Sequence, residues 1–497
     1  MLHNTVRTLA KETIMYSLSG IIVRGGSYLV LRLQTNILVT SEYSIITEFY
    51  GNYISLGHVL FLLSMDMAYC RFVYKLGRQH TFNTTITILL ISSVLLSISL
   101  IIYTPQIAQI TDHLSHIRYF YYITAILTLD TLLAIPYVSL RVEKKILQFL
   151  LIKFLQAFTN VFFSFILLYF PCCLISIEHS IYSCFNITIA LNTLDAVFIA
   201  NLLSNIATLG FLLPQFKGFR LIWNSNTVQM MWAYGSTFFF TTLFARIGEI
   251  LPRLLFRRLI PSNFYATSTK EEILGSFGIS SKLMLFITLG IHAFKYAAEP
   301  FFFANADRKN ATKLYGQVMY LFILAACISL LLFSLNIKWI AKIIIPNTYY
   351  RNTVDTVPYL AFWHIVLGIY YNISVAFKLS NNPRYNTWIN AFGSLVILVM
   401  SLLLIPIWGH WGCVYAYISG ATAMTLLGYY IGQKCYPIQY HKKAFLLLLF
   451  TFLAIGKISL WPERFAFLGL GWAYLFLNIT ILVVFSIMGM VWYKFYE

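Results

Sequence analysis

Long apolar segments, each about the length of one membrane crossing, follow one another along almost the whole 497-residue chain. A helix of about 20 apolar residues crosses the hydrocarbon core of a bilayer, and the loops between these segments are too short to fold as separate domains. The composition agrees, because 59% of the residues are hydrophobic and 10% are charged. We therefore predict an all-α polytopic membrane protein with about fourteen transmembrane helices, at 13–35, 45–70, 82–104, 117–140, 149–170, 186–213, 228–256, 275–303, 314–336, 354–379, 385–407, 412–432, 444–461 and 466–492.

Basic residues collect in alternate loops of this predicted bundle. Cytoplasmic loops of membrane proteins carry an excess of Lys and Arg, whereas the intervening loops at 36–44, 104–115, 171–185 and 407–412 have neither. The pattern explains most of the net charge of +18 without nucleic acid, and with an even number of helices it predicts that both termini are cytoplasmic. The predicted cytoplasmic loops are those that contain Arg71, Lys75 and Arg78; Arg141, Lys144 and Lys145; Lys217 and Arg220; Arg308, Lys309 and Lys313; Lys378 and Arg384; and Lys434, Lys442 and Lys443.

The segment at 228–260 carries four regularly spaced charges although it is apolar enough to cross a membrane. Arg246, Glu249, Arg253 and Arg257 follow at spacings of three, four and four residues, which places them on one face of a helix. A charge at the centre of a membrane helix costs about 2.5–3.5 kcal/mol, so this face must contact something polar. We interpret it as one wall of a water-filled, anion-attracting cavity. The alternative is an Arg/Glu ladder that only holds two halves of the protein together.

The same segment contains a proline among its charges. Pro252 has no N–H to donate to the carbonyl of Gly248, so we predict a kink there and a gate that bends at the kink. Glu249 lies four residues before Arg253, which predicts an ion pair between them and leaves Arg246 as the least neutralised cation of the stripe.

A second intramembrane arginine lies in the first predicted helix. Arg24 is near the middle of 13–35, on a face that also carries Ser17, Gly20 and Tyr28. We expect it to face the same cavity as Arg246. The alternative is a structural pair with a buried acid, for which the candidates are Asp66, Asp195 and Glu249.

The segment at 275–303 has a charged face in its cytoplasmic half. His292, Lys295 and Glu299 are spaced by three and four residues and therefore share one side of a helix. Either Lys295 and Glu299 form an ion pair that holds an inner gate, or Lys295 receives substrate from the cytoplasm. His292 is better explained as a satisfied polar residue than as a proton relay.

Single acids and histidines in other predicted helices are weaker candidates. Asp130 and Asp195 are suited to carry a coupling ion, but the sequence identifies no partner for either of them. Asp66, five residues before Arg71, is interpreted as structural. His58 and His364 are interpreted as buried polar contacts rather than ligands.

Several chemistries are excluded by missing motifs. The sequence has no P-loop GxxxxGK[ST], no HExxH and no convincing Ser/His/Asp grouping, so we expect a transporter and not an enzyme. The seven cysteines show no metal-binding spacing, and we expect no metal and no cofactor. Cys172, Cys173 and Cys184 fall in one predicted outside loop, where a disulfide between either of the first two and Cys184 is one alternative to free thiols.

A faint internal duplication divides the chain. Arg24-Gly25-Gly26 in the first helix is matched by Arg246-Ile247-Gly248 in the seventh, six helices later. Parallel repeats place a binding site where they meet. We predict an N-terminal lobe at 1–222 (helices 1–6), a C-terminal lobe at 223–440 (helices 7–12) and two additional helices at 441–497.

Several stretches resemble a known family. LAKETIMYSLSGIIVRGGSYL (9–29), SMDMAYCRF (64–72) and, most specifically, AFKYAAEPFFFANADRKN (293–310) resemble bacterial polysaccharide flippases for O-antigen, capsule or exopolysaccharide, in the multidrug/oligosaccharidyl-lipid/polysaccharide (MATE-like) exporter superfamily. The resemblance implies two pseudo-symmetric six-helix lobes around a cationic cavity, plus two C-terminal helices, in the bacterial cytoplasmic (inner) membrane. It also implies that Arg24 and Arg246 contact the diphosphate of an undecaprenyl-diphosphate-linked oligosaccharide during its transfer to the outer leaflet.

The expected mechanism is alternating access without ATP. Arg24, Arg246 and Arg253 are the expected cavity cations, and Glu249, Pro252, Lys295 and Glu299 the expected gate or ion-pair residues. Because the headgroup is anionic, the membrane potential can assist its outward movement, and coupling to H⁺ or Na⁺ is a further possibility. The expected partners are the lipid-linked glycan, the bilayer, and a polysaccharide polymerase with its glycosyltransferases.

Other functions fit the same sequence less well. A lipid II flippase of peptidoglycan synthesis would share the basic cavity. A multidrug/cation antiporter would prefer an acidic cavity, and a membrane glycan polymerase or acyltransferase would need a large outside loop or a catalytic His in a membrane pocket. The short loops and scattered histidines argue against both enzymes.

Overall fold

The computed structural model describes residues 20, 24–175, 193–305, 310–380, 382, 384–458 and 477–481. Within these ranges the chain forms helices and no strands. Each of the fourteen predicted segments overlaps helical residues, and eight of the helices are long and apolar enough to cross a membrane. The predicted class, an all-α polytopic membrane protein, is confirmed.

Contacts divide the chain into two compact units, Met1–Arg246 and Ile247–Glu497. The division falls inside one long helix, whereas the sequence predicts boundaries at 222/223 and 440/441, which stay predictions. The helices of the first unit are α1 (24–37), α2 (Thr40–Glu48), α3 (Ser55–Leu62), α4 (Met65–Leu76), α5 (Arg78–Ile110), α6 (Ile117–Val142), α7 (Ile146–Ile175), α8 (Thr193–Leu212) and the first part of α9 (Ser225–Leu259).

The second unit contains the end of α9 and the helices that follow it. These are α10 (Lys270–Leu283), α11 (Leu285–Ala304), α12 (Ala311–Ile344), α13 (Val357–Leu379), α14 (Arg384–Trp408), α15 (His410–Cys435), α16 (Lys442–Ile458) and a short helical stretch at 477–481. Cys184 lies outside the described residues, as do the side chains of Cys172 and Cys173, so the alternative of a disulfide among them is not tested.

The second predicted helix, 45–70, is interrupted twice in the structure. A π-helical stretch, Phe49–Ile54, connects α2 to α3, and Leu63 and Ser64 then adopt left-handed backbone conformations (φ 51° and 53°) that separate α3 from α4. Non-glycine residues pay about 1–2 kcal/mol each for this conformation, so packing must stabilise it. Gly235 of α9 lies against the break, where an added Cβ would be 3.6 Å from the carbonyl oxygens of Leu63 and Ser64.

The predicted helix 275–303 is also interrupted. It begins earlier, at Lys270, and is divided at Met284 into α10 and α11. The start of α10 has a capping box, in which the Thr269 side chain accepts from the backbone N–H of Glu272 and the Glu272 carboxylate accepts from the backbone N–H of Thr269. This motif satisfies two helix-terminal donors and explains the early start.

The core of the first unit has an aromatic part and an aliphatic part. Phe49 makes edge contacts with Tyr53, His113 and Tyr119, at centroid distances of 5.2, 5.1 and 5.7 Å, and Tyr119 stacks on Phe198 at 4.9 Å. A second buried cluster joins α4, α5, α6 and α9 through Met65, Tyr69, Phe82, Ile86, Ile135 and Met231. The aromatic cluster therefore joins the π-helical stretch to α6 and α8.

The second unit contains a close pairing of α14 with α15. Gly393 of α14 faces the Met424 side chain, and Gly420 of α15 faces Ile397, with no room for a Cβ at either position. Small residues let membrane helices approach closely, where dispersion contacts replace the missing hydrophobic driving force. Gly248 of α9 packs on the same α14 surface, because an added Cβ would lie 2.8 Å from the Ser394 hydroxyl.

Candidate functional site

The charged stripe of α9 lies on one continuous helix. The structure keeps Ser225–Leu259 helical through Pro252, so the predicted proline does not end the helix, and its role as a gate stays a prediction. Arg246 is exposed and is the last residue of the first unit, whereas Glu249 and Arg253 are half-buried in the second. Arg257, one turn further on, is also half-buried.

Polar groups of α15 meet the α9 stripe near the proline. The hydroxyl of Tyr417 donates to the backbone carbonyl of Glu249 at 2.6 Å and is hydrogen-bonded with Arg253. The thiol of Cys413 approaches the carbonyl of Pro252 at 3.5 Å. Pro252 removes the helical donor to the carbonyl of Gly248, and Tyr417 binds the carbonyl of the next residue, Glu249, beside that gap. Tyr417 therefore anchors the segment that carries Glu249 and Arg253.

Two histidines extend this polar cluster of the second unit. His364 of α13 interacts electrostatically with Glu249 and with His292 of α11, and its Nδ1 lies 3.2 Å from the carbonyl of Leu360. Its neighbour Trp363 stacks on the Tyr417 ring at 4.3 Å with an interplanar angle of 17°. The cluster thus brings both signs of charge together among these helices, and the interpretation of the stripe as a cavity wall stays a prediction.

Lys295 lies on α11 above an aromatic ring. Its Nζ is 4.7 Å from the centroid of Tyr371, within the range of a cation–π contact. The two side chains line a cavity of about 20 Å³ with Asn372, which is room for about one water molecule and too little for a sugar headgroup. Glu299 is on the same helix, but its side chain lies outside the described part, so the expected ion pair with Lys295 stays a prediction.

Arg24 lies at the start of the described part of α1, and its side chain is half-buried. Tyr28, one turn later, is close enough to interact with its charge. Ser17, which the sequence places on the same face, is outside the described residues. The role of Arg24 as a cavity cation stays a prediction.

The structure supplies the partners that the sequence could not identify for Asp130. Its Oδ2 is 3.2 Å from Nε2 of His58, and its Oδ1 accepts a hydrogen bond of 2.7 Å from Nδ2 of Asn205. The three residues come from α6, α3 and α8. Lys153 of α7 is a further electrostatic neighbour of the carboxylate, so four helices of the first unit converge here.

Asp195, the other single acid, has a different environment. Its Oδ2 lies 3.0 Å from Nη1 of Arg118, and the carboxylate is almost completely buried while the arginine is half exposed. Both residues are near the first turn of their helices, α8 and α6. This pair joins two helix starts and supplies the partner that the sequence did not identify for Asp195.

No protein-family model matches the chain, and no curated protein matches it. Solved structures do share its architecture. The lipid II flippase MurJ, in an inward closed conformation, aligns with a TM-score of 0.68 over 97% of this chain and 100% of that chain, at 12% identity. An inward-facing multidrug resistance MATE family transporter of the MOP superfamily aligns with a TM-score of 0.65 over 85% of this chain and 95% of that chain, at 11% identity.

A mutant of the Vibrio cholerae MATE transporter VcmN aligns with a TM-score of 0.56 over 87% of this chain and 98% of that chain, at 12% identity. At sequence identities this low, the similarity concerns the backbone fold, and no functional role of a residue is transferred to this chain. The comparisons therefore show that this chain has the fold of MurJ and of the MATE transporters.

Proposed function

We propose that this protein is a flippase that moves an undecaprenyl-diphosphate-linked oligosaccharide from the inner to the outer leaflet of the bacterial cytoplasmic membrane for surface polysaccharide synthesis. The observation that carries the proposal is the row of arginines on α9, a helix of a transporter fold, at Arg246, Arg253 and Arg257. Three cations on one face of a membrane helix are costly. Binding of an anionic ligand during its passage across the membrane accounts for these three cations.

The chemistry of the headgroup matches that of the arginines. A diphosphate cannot cross hydrocarbon unaided, and the guanidinium group binds phosphate oxygens through two parallel hydrogen bonds. In this proposal Arg24 and Arg246 contact the diphosphate, and Arg253, oriented by Tyr417, is the third cation. Because the sugars vary within the family, no residue is assigned to bind them.

Alternating access needs parts that move during the cycle. We assign this role to the α9 segment around Glu249 and Pro252, where the Tyr417 side chain of α15 supports the carbonyl of Glu249 from outside the helix. Lys295 and Glu299 of α11 are the proposed inner gate. The cycle uses no cofactor, because outward movement of each negative charge from an inside-negative cell gains about 2.3 kcal/mol per 100 mV.

Lipid II is the second candidate substrate. A lipid II flippase aligns with this chain over its full length, and lipid II has the same anionic linkage between sugar and polyprenyl chain. A multidrug antiporter fits less well, because cations on α9 would repel cationic drugs. The identity of the lipid that accumulates distinguishes a lipid-linked oligosaccharide from lipid II as the substrate. A multidrug antiporter would cause neither lipid to accumulate.

The first experiment is depletion of the protein in its native host, followed by mass spectrometry of the undecaprenyl-linked lipids. Accumulation of a lipid-linked oligosaccharide supports the proposal, and the masses begin to identify the sugars. Accumulation of lipid II assigns the protein to peptidoglycan synthesis instead. If no undecaprenyl-linked lipid changes, the proposed substrate class is wrong.

Variants then connect the result to α9. Arg246→Ala should fail to clear the accumulated lipid although it is expressed and inserted normally. Arg258→Ala is the matched control, because it removes an arginine of the same helix that lies off the stripe and is exposed. Full activity of Arg246→Ala would contradict the assigned role.

A further inference from the structure

The connection between α8 and α9 (213–224) is held against the start of α5. It begins with a short 3₁₀ turn, Leu213–Phe216, and continues without regular secondary structure until α9 begins at Ser225. Hydrogen bonds attach it to α5. They join Nη2 of Arg78 to Oε1 of Gln215 at 3.2 Å, Nε2 of Gln79 to the carbonyl of Gly218 at 2.8 Å, and the backbone N–H of Ile222 to Oγ1 of Thr87 at 3.3 Å.

The aromatic side chains of the α8–α9 connection pack inward. Phe216 makes edge contacts with Phe82 of α5 at a centroid distance of 5.8 Å and with Phe219 at 6.4 Å. Phe216 and Phe219 both pack against the buried cluster of α4, α5, α6 and α9. Gly218 lies between them with φ 81°, a conformation that glycine adopts without steric cost. The inner side of the connection is thus fixed, and its outer side is presented in one arrangement.

The length of α5 indicates the depth of this connection in the bilayer. The helix has 33 residues and is about 50 Å long, whereas the hydrocarbon core is about 30 Å thick. Residues 78–87 of α5 (RQHTFNTTIT) are mostly polar, whereas 88–96 (ILLISSVLL) are mostly apolar. The connection runs beside the polar part, so it lies where the headgroups meet the hydrocarbon.

The outer side of the connection exposes cations together with large apolar side chains. Lys217 and Arg220 are exposed. Leu213, Leu221 and Trp223 are exposed as well, by 59%, 71% and 58%. Segments that lie in the plane of a membrane surface have this composition, because the apolar side chains enter the acyl region while Lys and Arg stay at the headgroups, and Trp is enriched at the same level.

The neighbouring ends of α5 and α7 add to the positive charge. Arg78, which holds Gln215, also forms an ion pair with Glu143, and Lys145 contacts the same carboxylate. Two cations on one carboxylate leave a positive charge at this surface. Leu147 follows at the start of α7 and is exposed, so the combination of cations with apolar side chains extends beyond the connection.

We propose that the α8–α9 connection is a binding site for an anionic phospholipid of the surrounding bilayer. The phosphodiester group contacts Lys217 and Arg220, while Leu213, Leu221 and Trp223 lie among the acyl chains. Arginine binds phosphate oxygens through parallel hydrogen bonds, and lysine binds them as a point charge. The connection belongs to a predicted cytoplasmic loop, and the cytoplasmic leaflet is the one whose anionic lipids attract basic segments.

The apolar side chains favour a phospholipid over a soluble anion. A free phosphate or sugar phosphate would be bound by the cations alone and would leave Leu221 and Trp223 unused. A phospholipid uses both kinds of side chain at once, because its charge and its acyl chains are joined at the depth where the connection lies.

A lipid bound here also attaches the start of α9. Trp223 is two residues before Ser225, the first residue of the helix that carries Arg246. Any influence of the lipid on transport through α9 rests on the proposed function, whereas the binding site itself does not depend on the cargo.

The test is thermal unfolding of the purified, delipidated full-length protein in a neutral detergent, titrated with dioleoyl phosphatidylglycerol or dioleoyl phosphatidylcholine. We expect phosphatidylglycerol to raise the Tm of the wild type and phosphatidylcholine to leave it nearly unchanged. In Lys217→Gln/Arg220→Gln the phosphatidylglycerol concentration that gives half of the rise should increase at least about tenfold, because two cations that attract the headgroup are lost. Equal effects of the two lipids on the wild type would overturn the proposal.

A matched control separates this site from the overall charge of the protein. Arg384→Gln/Lys434→Gln removes one arginine and one lysine that are also exposed and also belong to predicted cytoplasmic loops, but in the second unit. Its response to phosphatidylglycerol should match that of the wild type. The same loss in both double variants would mean that the lipid responds only to net charge, and would overturn the proposal.

Two further variants keep the test decisive if the first folds poorly. Lys217→Arg/Arg220→Lys retains both charges and should respond nearly as the wild type does; a response as weak as that of the glutamine variant would contradict the role of charge. Leu221→Ser/Trp223→Ser retains both cations and should also need more phosphatidylglycerol for half of the rise. An unchanged titration in this variant would exclude the acyl contacts.

Other ligands are tested on the same samples. A rise of Tm with glycerol 3-phosphate equal to that with phosphatidylglycerol would identify a soluble phosphate and contradict the lipid site. A rise with polyglutamate and none with phosphatidylglycerol would identify a surface for an acidic protein instead.

The lipid site and the proposed cargo can fail separately. A selective response to phosphatidylglycerol, without accumulation of a lipid-linked oligosaccharide on depletion, would retain the site and reject the cargo. Accumulation of that oligosaccharide with no selective response would retain the cargo and reject the site.

Discussion

Nε2 of His113 lies 2.6 Å from Oε2 of Glu48, and side-chain exposure is 1% for the histidine and 6% for the glutamate. The pair joins the end of α2 to the turn between α5 and α6. Phe49 and Phe120 pack against the His113 ring at centroid distances of 5.1 and 6.5 Å. A buried acid and base at hydrogen-bonding distance, enclosed by aromatic rings, hold these elements in one arrangement.

Removing one partner of this pair should be costly. We expect His113→Ala to lower the free energy of unfolding by about 3–5 kcal/mol, because it leaves a carboxylate in a site from which water is excluded. Chemical unfolding in detergent, followed by Trp fluorescence, measures the change. The double variant Glu48→Gln/His113→Gln removes both ionisable groups, and its free energy of unfolding should fall by less than that of His113→Ala. A loss below about 1 kcal/mol in His113→Ala would mean that the pair behaves like an exposed ion pair.

A second ion-pair group lies just beyond the end of α6. Arg78 and Lys145 both approach Glu143 at 2.6 Å, and the Ser139 hydroxyl donates to the same carboxylate at 2.7 Å. Burial alone would raise the pKa of Glu143, but the hydrogen bonds from Lys145 and Ser139 and the charge of Arg78 outweigh it and hold the pKa below its usual value of 4.5.

The lowered pKa predicts how stability depends on pH. A carboxyl group whose pKa is depressed by folding contributes stability above its unfolded pKa and loses it as the pH falls through the folded value. We expect Glu143→Gln to lower Tm relative to the wild type at pH 7, and the difference to shrink below about pH 4. Thermal unfolding at a series of pH values measures it. The same difference in Tm at pH 7 and pH 4 would contradict this account.

The helices could be predicted from the sequence because the bilayer requires long apolar segments and satisfied backbone groups. The interruptions could not. Leu63-Ser64 and Met284 contain neither glycine nor proline, and Gly235 of α9 packs against the first break. That contact joins residues more than a hundred positions apart in the sequence, so no local pattern predicts it.

The polar pairs were missed for a related reason. Asp130 and Asp195 were visible as costly acids, but their partners His58, Asn205 and Arg118 are distant in sequence and meet them only when the helices pack. Glu48 lies near the start of its predicted segment, 45–70, and its partner His113 is likewise distant in the sequence. The α9 stripe was visible because all its members share one helix, where spacing alone determines the common face.

Tyr417 is the residue of α15 that supports α9 next to the proline. We expect Tyr417→Phe to lower the free energy of unfolding by about 0.5–2 kcal/mol, the range for hydrogen bonds between membrane helices, because the hydroxyl bonds to Glu249 and Arg253 are lost. The stacking on Trp363 is retained. Chemical unfolding in detergent measures the loss, with Tyr74→Phe as the control because Tyr74 is 78% exposed. Equal stability of the two variants would show that the hydroxyl contributes nothing.

Substitutions of Arg253 test whether this residue binds phosphate or has only a structural role. A lysine keeps the charge but not the planar fork that binds two phosphate oxygens, so we expect Arg253→Lys to clear the accumulated lipid at least about tenfold more slowly than the wild type, which is the loss of about 1.4 kcal/mol of interaction. Arg253→Gln should be slower still, because it also removes the charge. The measurement is the rate at which lipid-linked oligosaccharide disappears after each variant is induced in depleted cells.

Stability must be followed in the same variants, because Arg253 is hydrogen-bonded with Tyr417. If Arg253 binds the diphosphate, clearance falls in the order arginine, lysine, glutamine while the Tm of Arg253→Lys stays at or above that of Tyr417→Phe, which loses the hydrogen bonds to both Glu249 and Arg253. If Arg253 only holds α9 to α15, clearance will follow Tm, and Tyr417→Phe will be as slow as Arg253→Lys. That second result would remove Arg253 from the proposed site and leave Arg24 and Arg246 as its cations.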